Sequence, residues 1–151
     1  ENPALDTQRM GAMGASFGGY MMNWFGGQTD RFKAIICHAG IFDISAFYGA
    51  TDLPAWWNLQ MGGSPYSDPE HHDRYSPHRF VQHWTSPTLI IHGEKDYRCP
   101  IDAGLALFEA LQLHGVDAEL LVFPDENHWI QKPANIVAWH DAILAFLKRV
   151  L

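Results

Sequence analysis

The sequence predicts an α/β fold, a mostly parallel sheet flanked by helices, and three observations predict it. Four short apolar runs suited to strands, at residues 9–13, 32–38, 87–92 and 120–123, alternate with helical or irregular stretches. One of them, Thr88-Leu89-Ile90-Ile91-His92-Gly93, is continuously apolar and closed by glycine, as a strand buried on both faces requires. The stretches between the last two runs and after the last carry apolar residues at helical spacing, which suits crossovers between parallel neighbours.

Each element follows in order. The first run leads into Gly14-Ala15-Ser16-Phe17-Gly18, and Tyr20 to Phe25 reads as a buried helix stopped by Gly26-Gly27. A serine between a strand and a helix, with glycine two before and two after, fits G-x-S-x-G, the nucleophile elbow of α/β-hydrolases. The turn is sharp and strained, so Gly14 and Gly18 are expected to remove side chains that would collide there. The following helix aims free N–H groups at the serine, where negative charge develops in acyl transfer.

After the second run, residues 48–84 hold prolines at 54, 65, 69 and 77 and the pair Trp56-Trp57, which predicts short helices and loops inserted over one end of the sheet. Beyond the third run, Ile101, Leu105, Phe108 and Leu111 mark one helix face, with Gly115 as a stop. The last helix starts near Pro133 and places Ile136, His140, Ile143, Leu147 and Val150 on one face.

The elbow needs a base and an acid. Glu94-Lys95-Asp96 follows the third strand and Pro124-Asp125-Glu126-Asn127-His128 the fourth, so in a parallel sheet both loops emerge at the edge that carries Ser16. The order Ser16, Asp96, His128 is that of α/β-hydrolases. A serine hydroxyl needs a neutral imidazole to accept its proton, and the imidazole needs a carboxylate to fix its tautomer. Glu94 is a rival for the acid. Asp125 and Glu126 read as loop anchors, His38 and His92 as hydrogen-bonded core groups, and His140 as a packing residue. His71, His72, His78 and His83 match no metal-ligand spacing, and no metal or organic cofactor is implied.

Composition bounds the rest. The 151 residues suit one domain with a real core, 47% apolar and 18% charged. A net charge of −7 without a basic run argues against nucleic acid and anionic membrane partners, and no apolar stretch reaches membrane-spanning length. Cys37 and Cys99 make no disulfide framework and leave the compartment undetermined. Residues 1–6 read as the middle of a longer protein, neither a signal peptide nor an initiating segment.

Taken together, "MGASFGGYM", "TDRFKA", "LIIHGEKDYRCP", "ALQLHGV" and "FPDENHW" resemble the C-terminal catalytic domain of the prolyl oligopeptidase family, in its dipeptidyl-peptidase and acylaminoacyl-peptidase branch. The resemblance implies Ser16 as nucleophile, Asp96 as acid, His128 as base and the Phe17 backbone N–H as an oxyanion donor. Phe17 stands where the family usually has tyrosine, and Cys99 where it commonly has valine. It further implies that residues 1–151 are the C-terminal half of an α/β-hydrolase fold, strands 5–8, without the propeller, the first half of the sheet or the second oxyanion donor. Losing one such donor costs on the order of 10²–10³ in rate. The first strand is then an exposed edge, and self-association through it is expected.

The function expected is a serine peptidase that cleaves short peptides through an acyl-enzyme, with an apolar pocket drawn from Phe17, Ile41, Phe42, Trp56 and Trp57. An esterase or lipase-like hydrolase with the same triad is the alternative. A catalytically silent, self-associating module is another.

Overall fold

The computed structural model describes residues 6–151, so the reading of residues 1–5 lies outside the described residues. Four strands, β1 (Gly11–Ala15), β2 (Ala34–His38), β3 (Thr88–Gly93) and β4 (Ala118–Phe123), lie side by side in chain order and pair in parallel throughout. Parallel neighbours in chain order need crossovers. Helix α1 (Phe17–Gln28) makes the first, from β1 to β2. The second runs through α2 (Ile44–Ala50), α3 (Pro54–Met61), α4 (Pro69–Arg74) and a 3-10 helix (Pro77–His83). Helix α5 (Asp102–Leu113) makes the third, and α6 (Pro133–Val150) follows β4.

The sheet is the middle layer. Alternation along β2 and β3 sends Ile35 and Ile90 to one face, where they pack with Met22 of α1 and Leu107 and Leu111 of α5. Ile36, Leu89 and Ile91 go to the other face and meet Ile143 and Phe146 of α6. Each such side chain, fully buried, contributes about 1.5–3 kcal/mol. The insertion starts earlier than residue 48, because Asp43 caps α2 by accepting the Ser45 and Ala46 N–H groups at 2.8 and 3.2 Å. Its Ile44, Phe47 and Trp57 form a third cluster with Ala39, Ile41 and Cys99, beyond the carboxyl end of β2.

Three local expectations are corrected. Helix α1 does not stop at Gly26-Gly27 but runs to Gln28. A Cβ on Gly26 would lie 2.3 Å from the Trp84 ring, so the pair is there for close packing, not for termination. On α5 the buried face is Ala103, Gly104, Leu107 and Leu111, while Leu105 is exposed. Small residues face the sheet because the helix passes close over it. On α6, Ile143 and Phe146 are buried, whereas Ile136 and His140 face outward. Eighteen residues span about 27 Å, more than a five- or six-residue strand can cover, so the first turns overhang the sheet.

The two sheet edges differ in chemistry. Beside β4, Arg149 pairs with Asp117 and with Glu119. Along β1, Gly-Ala-Met-Gly-Ala carries no charge and Met13 is half exposed.

Candidate active site

Ser16 stands between the end of β1 and the first residue of α1, in a conformation that L-residues rarely adopt (φ 59°, ψ −119°). Its backbone N–H donates to the His38 carbonyl at 3.0 Å, and its carbonyl accepts from Tyr20 N–H at 2.9 Å. The reason for the flanking glycines is only half as expected. A Cβ on Gly14 would lie 2.4 Å from the Gly18 carbonyl oxygen, but one on Gly18 would meet nothing within 4 Å. The second tight approach is at Gly19, whose Cβ would sit 2.6 Å from the His38 carbonyl oxygen.

Loops after β3 and β4 bring two more groups to this turn. His128 Nε2 is 2.9 Å from Ser16 Oγ, and His128 Nδ1 is 2.7 Å from Asp96 Oδ2. An ionised Asp96 only accepts, so Nδ1 carries the proton and donates, and Nε2 accepts from the serine hydroxyl. Asp96 Oδ1 accepts the Arg98 and Cys99 backbone N–H groups, both at 2.9 Å. The carboxylate is buried but fully bonded, as a buried charge must be. Asp96, Ser16 and His128 therefore form one chain of hydrogen bonds, in which a proton can leave the serine for an imidazole already oriented to receive it. Glu94 lies outside this chain and is exposed.

The loop anchors fall where expected. Glu126 accepts Lys132 N–H and Asn135 Nδ2 at 2.8 Å, Asn135 also donates to Asp125 at 2.9 Å, and Lys132 pairs with Asp125. The loop that carries His128 is thereby tied to the start of α6. Gly93, at the end of β3, fits beneath the same loop. A Cβ there would lie 2.2 Å from the Asn127 carbonyl oxygen and 2.8 Å from that of Glu126. Gly93→Ala is expected to displace the histidine loop, lower stability by about 1–3 kcal/mol and slow phosphonate capture by Ser16 about 100-fold. Thermal melts and labelling rates check both; a wild-type labelling rate would show that the loop yields without disturbing His128.

A cavity of about 390 Å³ opens beside Ser16, and Phe17, Ile41, Trp56 and Trp57 line it. Phe42 does not: it is buried in the core on the α1 face of the sheet, its ring edge-on to His78. Phe47, Leu53, Arg98 and Cys99 complete the lining and were missed by sequence reasoning. The spacing of α2 and the position of Leu53 before Pro54 were signals that could have found the first two. Arg98 is held by Asp52, with Nε 2.6 Å from Oδ1, and Thr51 Oγ1 donates to the Arg98 carbonyl at 2.8 Å. The insertion and the acid loop thus build one wall together. Burial pushes the Cys99 thiol up to about 12, which keeps it protonated in that wall.

A second cavity, about 400 Å³, lies on the α6 side of Ser16, and His38, Trp129, Ile136 and Trp139 are among its walls. His38 is buried, but its Nε2 has no hydrogen-bond partner among the described residues, contrary to the expectation of a bonded core group. Burial pulls it down to about 4, so it is neutral. His140 is not on the buried face of α6 as expected: it is exposed, with Nδ1 2.8 Å from the Ile136 carbonyl oxygen and its ring edge-on to Trp139. His92 is the bonded core group expected, with Nε2 2.7 Å from the Cys99 carbonyl oxygen. Among the described residues no group of three or more His, Cys, Asp and Glu side chains converges as a metal site would require, and no helix is long and apolar enough to cross a membrane.

The prolyl oligopeptidase family profile matches residues 1–151. Dipeptidyl-peptidase 5 of Schizosaccharomyces pombe is 40% identical over 146 residues, covering 94% of this chain and 21% of the relative. Dipeptidyl-peptidase 5 of Porphyromonas gingivalis is 41% identical over 157 residues, covering 100% of this chain and 23% of the relative. The uncomplexed acylaminoacyl peptidase of Pyrococcus horikoshii superposes with a TM-score of 0.92 at 30% identity, over 99% of this chain and 25% of that one. The chain thus spans about a fifth to a quarter of the length of the proteins it resembles.

Proposed function

This chain belongs to the prolyl oligopeptidase family of serine peptidases, and we propose that it carries the working triad of such a peptidase, acting on short peptides. The reading rests on one observation, the unbroken Asp96–His128–Ser16 chain with contacts of 2.7 and 2.9 Å. Ser16 Oγ attacks the scissile carbonyl carbon as His128 Nε2 takes the hydroxyl proton. The imidazolium is stabilised by Asp96. The carbonyl oxygen becomes an oxyanion facing the Phe17 N–H at the start of α1, where the helix dipole favours negative charge. Collapse breaks the C–N bond, and His128 returns the proton to the leaving amine. A water molecule, deprotonated by the same Nε2, then releases the acyl group and restores Ser16.

The apolar cavity beside Phe17 suits the side chain of the residue before the scissile bond, with Trp56 and Trp57 as its aromatic walls. A fluorophosphonate probe, with the adduct located by peptide mass spectrometry, tests the reading. An adduct on Ser16 that requires His128, with peptide amides cleaved, supports it. A folded chain that takes no adduct sinks it, and turnover of esters alone gives the site to an esterase.

The 151-residue chain is further expected to pair with a second copy along β1, whose five residues carry no charge, whereas β4 itself carries Glu119 in an ion pair with Arg149; the Arg9–Asp6 pair lies before β1. Light scattering over a concentration series should show a dimer or larger species that Met13→Lys disperses. A monomer at high concentration would rule this out.

A further inference from the structure

His92 has no part in the proton path, yet it is wholly buried beside it. Its ring lies between the end of β3 and the start of α5, under the loop that carries Asp96. Nε2 is 2.7 Å from the Cys99 carbonyl oxygen, and since a carbonyl only accepts, Nε2 bears the proton. The N–H of the same residue, Cys99, donates to Asp96 Oδ1. Cys99 is therefore gripped at both ends of its backbone, by His92 through its C=O and by Asp96 through its N–H. The hydrogen-bond chain runs His92 to Cys99, Cys99 to Asp96, His128 to Asp96 and Ser16 to His128. The two Cys99 bonds lie on neighbouring peptide groups joined through Cα, so His92 acts on Asp96 by fixing the position of the backbone.

The other ring nitrogen makes the arrangement costly. His92 Nδ1 is buried and has no hydrogen-bond partner among the described residues. A Cβ on Gly104 would stand 2.7 Å from it, so α5 passes over the ring through a glycine. An apolar residue would avoid leaving a buried polar atom unpaired, and a histidine here therefore calls for an explanation. Charge supplies a second reason for the geometry. His92 Nε2 also lies 3.8 Å from Asp96 Oδ2, the oxygen His128 uses. Burial, the largest effect, opposes a charge on His92, as does the His128 ring, whereas the bond to the Cys99 carbonyl, Asp96 and Asp102 favour one; the balance lies below the ordinary histidine value. A neutral His92 leaves the whole carboxylate charge to His128.

We propose that His92 is a positioning residue, which by donating its Nε2–H holds the Cys99 backbone so that Asp96 faces His128. This rests on the reading of Asp96 and His128 as acid and base, but it has a readout that does not depend on activity. NMR of the 151-residue chain with 15N-labelled histidine reports the His92 tautomer and the low-field Nδ1 proton shared by His128 and Asp96. In the wild-type chain near neutral pH, His92 should be the uncharged Nε2–H tautomer, since burial lowers it from the ordinary histidine value. An Nδ1–H tautomer overturns the proposal.

His92→Leu should broaden or abolish the His128 low-field proton and slow phosphonate labelling about tenfold, the worth of one ordinary hydrogen bond. His92→Gln, whose side-chain amide can donate to the same carbonyl, should restore both. A folded His92→Leu chain with the proton unmoved overturns the proposal, as does a His92→Gln chain that loses it. Should His92→Leu not fold, the wild-type tautomer and His92→Gln decide. A wild-type chain that shows the His128–Asp96 proton but takes no phosphonate overturns the peptidase reading alone.

Discussion

Ser16→Ala is expected to abolish phosphonate capture and to lower peptide hydrolysis by about 10⁶-fold, the scale set by loss of a serine nucleophile in other triads. The elbow makes this substitution clean. The backbone of residue 16 is held by bonds to the His38 carbonyl and the Tyr20 N–H, neither of which involves the hydroxyl. Alanine tolerates the φ of 59° no worse than serine does, so the fold should survive. Only the 2.9 Å contact from Oγ to His128 is lost. His128→Ala should cost about as much, and the double variant no more than either, because the two act as one unit. Steady-state hydrolysis of a peptide amide by the three variants is the check. Hydrolysis that survives Ser16→Ala was never the work of this site.

Phe146→Ala is expected to lower stability by about 3–5 kcal/mol, which is a large part of the 5–15 kcal/mol typical of a whole domain. Phe146 is fully buried and packs with Ile36, Leu89, Ile91 and Ile143, the side chains that hold α6 to the sheet. Urea unfolding measures the loss. Leu144, exposed on the same helix, should give less than about 0.5 kcal/mol on the same substitution. The consequence reaches the site, since Glu126 fastens the histidine loop to Lys132 and Asn135 at the start of α6. Near its unfolding midpoint, Phe146→Ala should lose phosphonate reactivity in step with helix content. Reactivity that persists after α6 has unfolded would show that the loop holds His128 without it.

What the residues declare locally was legible. The strand that closes at Gly93, the serine on its tight turn and the carboxylate and histidine placed after successive strands all follow from patterns confined to a few residues. A strand buried on both faces must be continuously apolar, and a turn that brings two backbones within contact needs glycine, as Gly14 does. The misreadings came where a pattern looks the same in two environments. Leu105 and Ile136 have the right spacing for a buried face, but spacing fixes only relative angles around a helix, not which angle meets the sheet. Gly26-Gly27 looks like a helix stop until Trp84, far along the chain, is seen packed against it. Phe42 and Phe47 are equally aromatic, equally buried and near the same strand end, but Phe42 packs on the α1 face of the sheet and Phe47 in the cluster that walls the cavity, according to where α2 turns the chain.

The sequence by itself thus determined the parallel α/β architecture and the placing of a serine, a carboxylate and a histidine just after strands, because these depend on local burial and turn geometry. Only the tertiary structure decided that Ser16 and His128, 112 residues apart, meet at 2.9 Å, which α6 and α5 faces are buried, and that His92 grips the loop of Asp96. Those contacts join distant segments, and their geometry is set by how whole layers pack, a quantity no short stretch of residues contains.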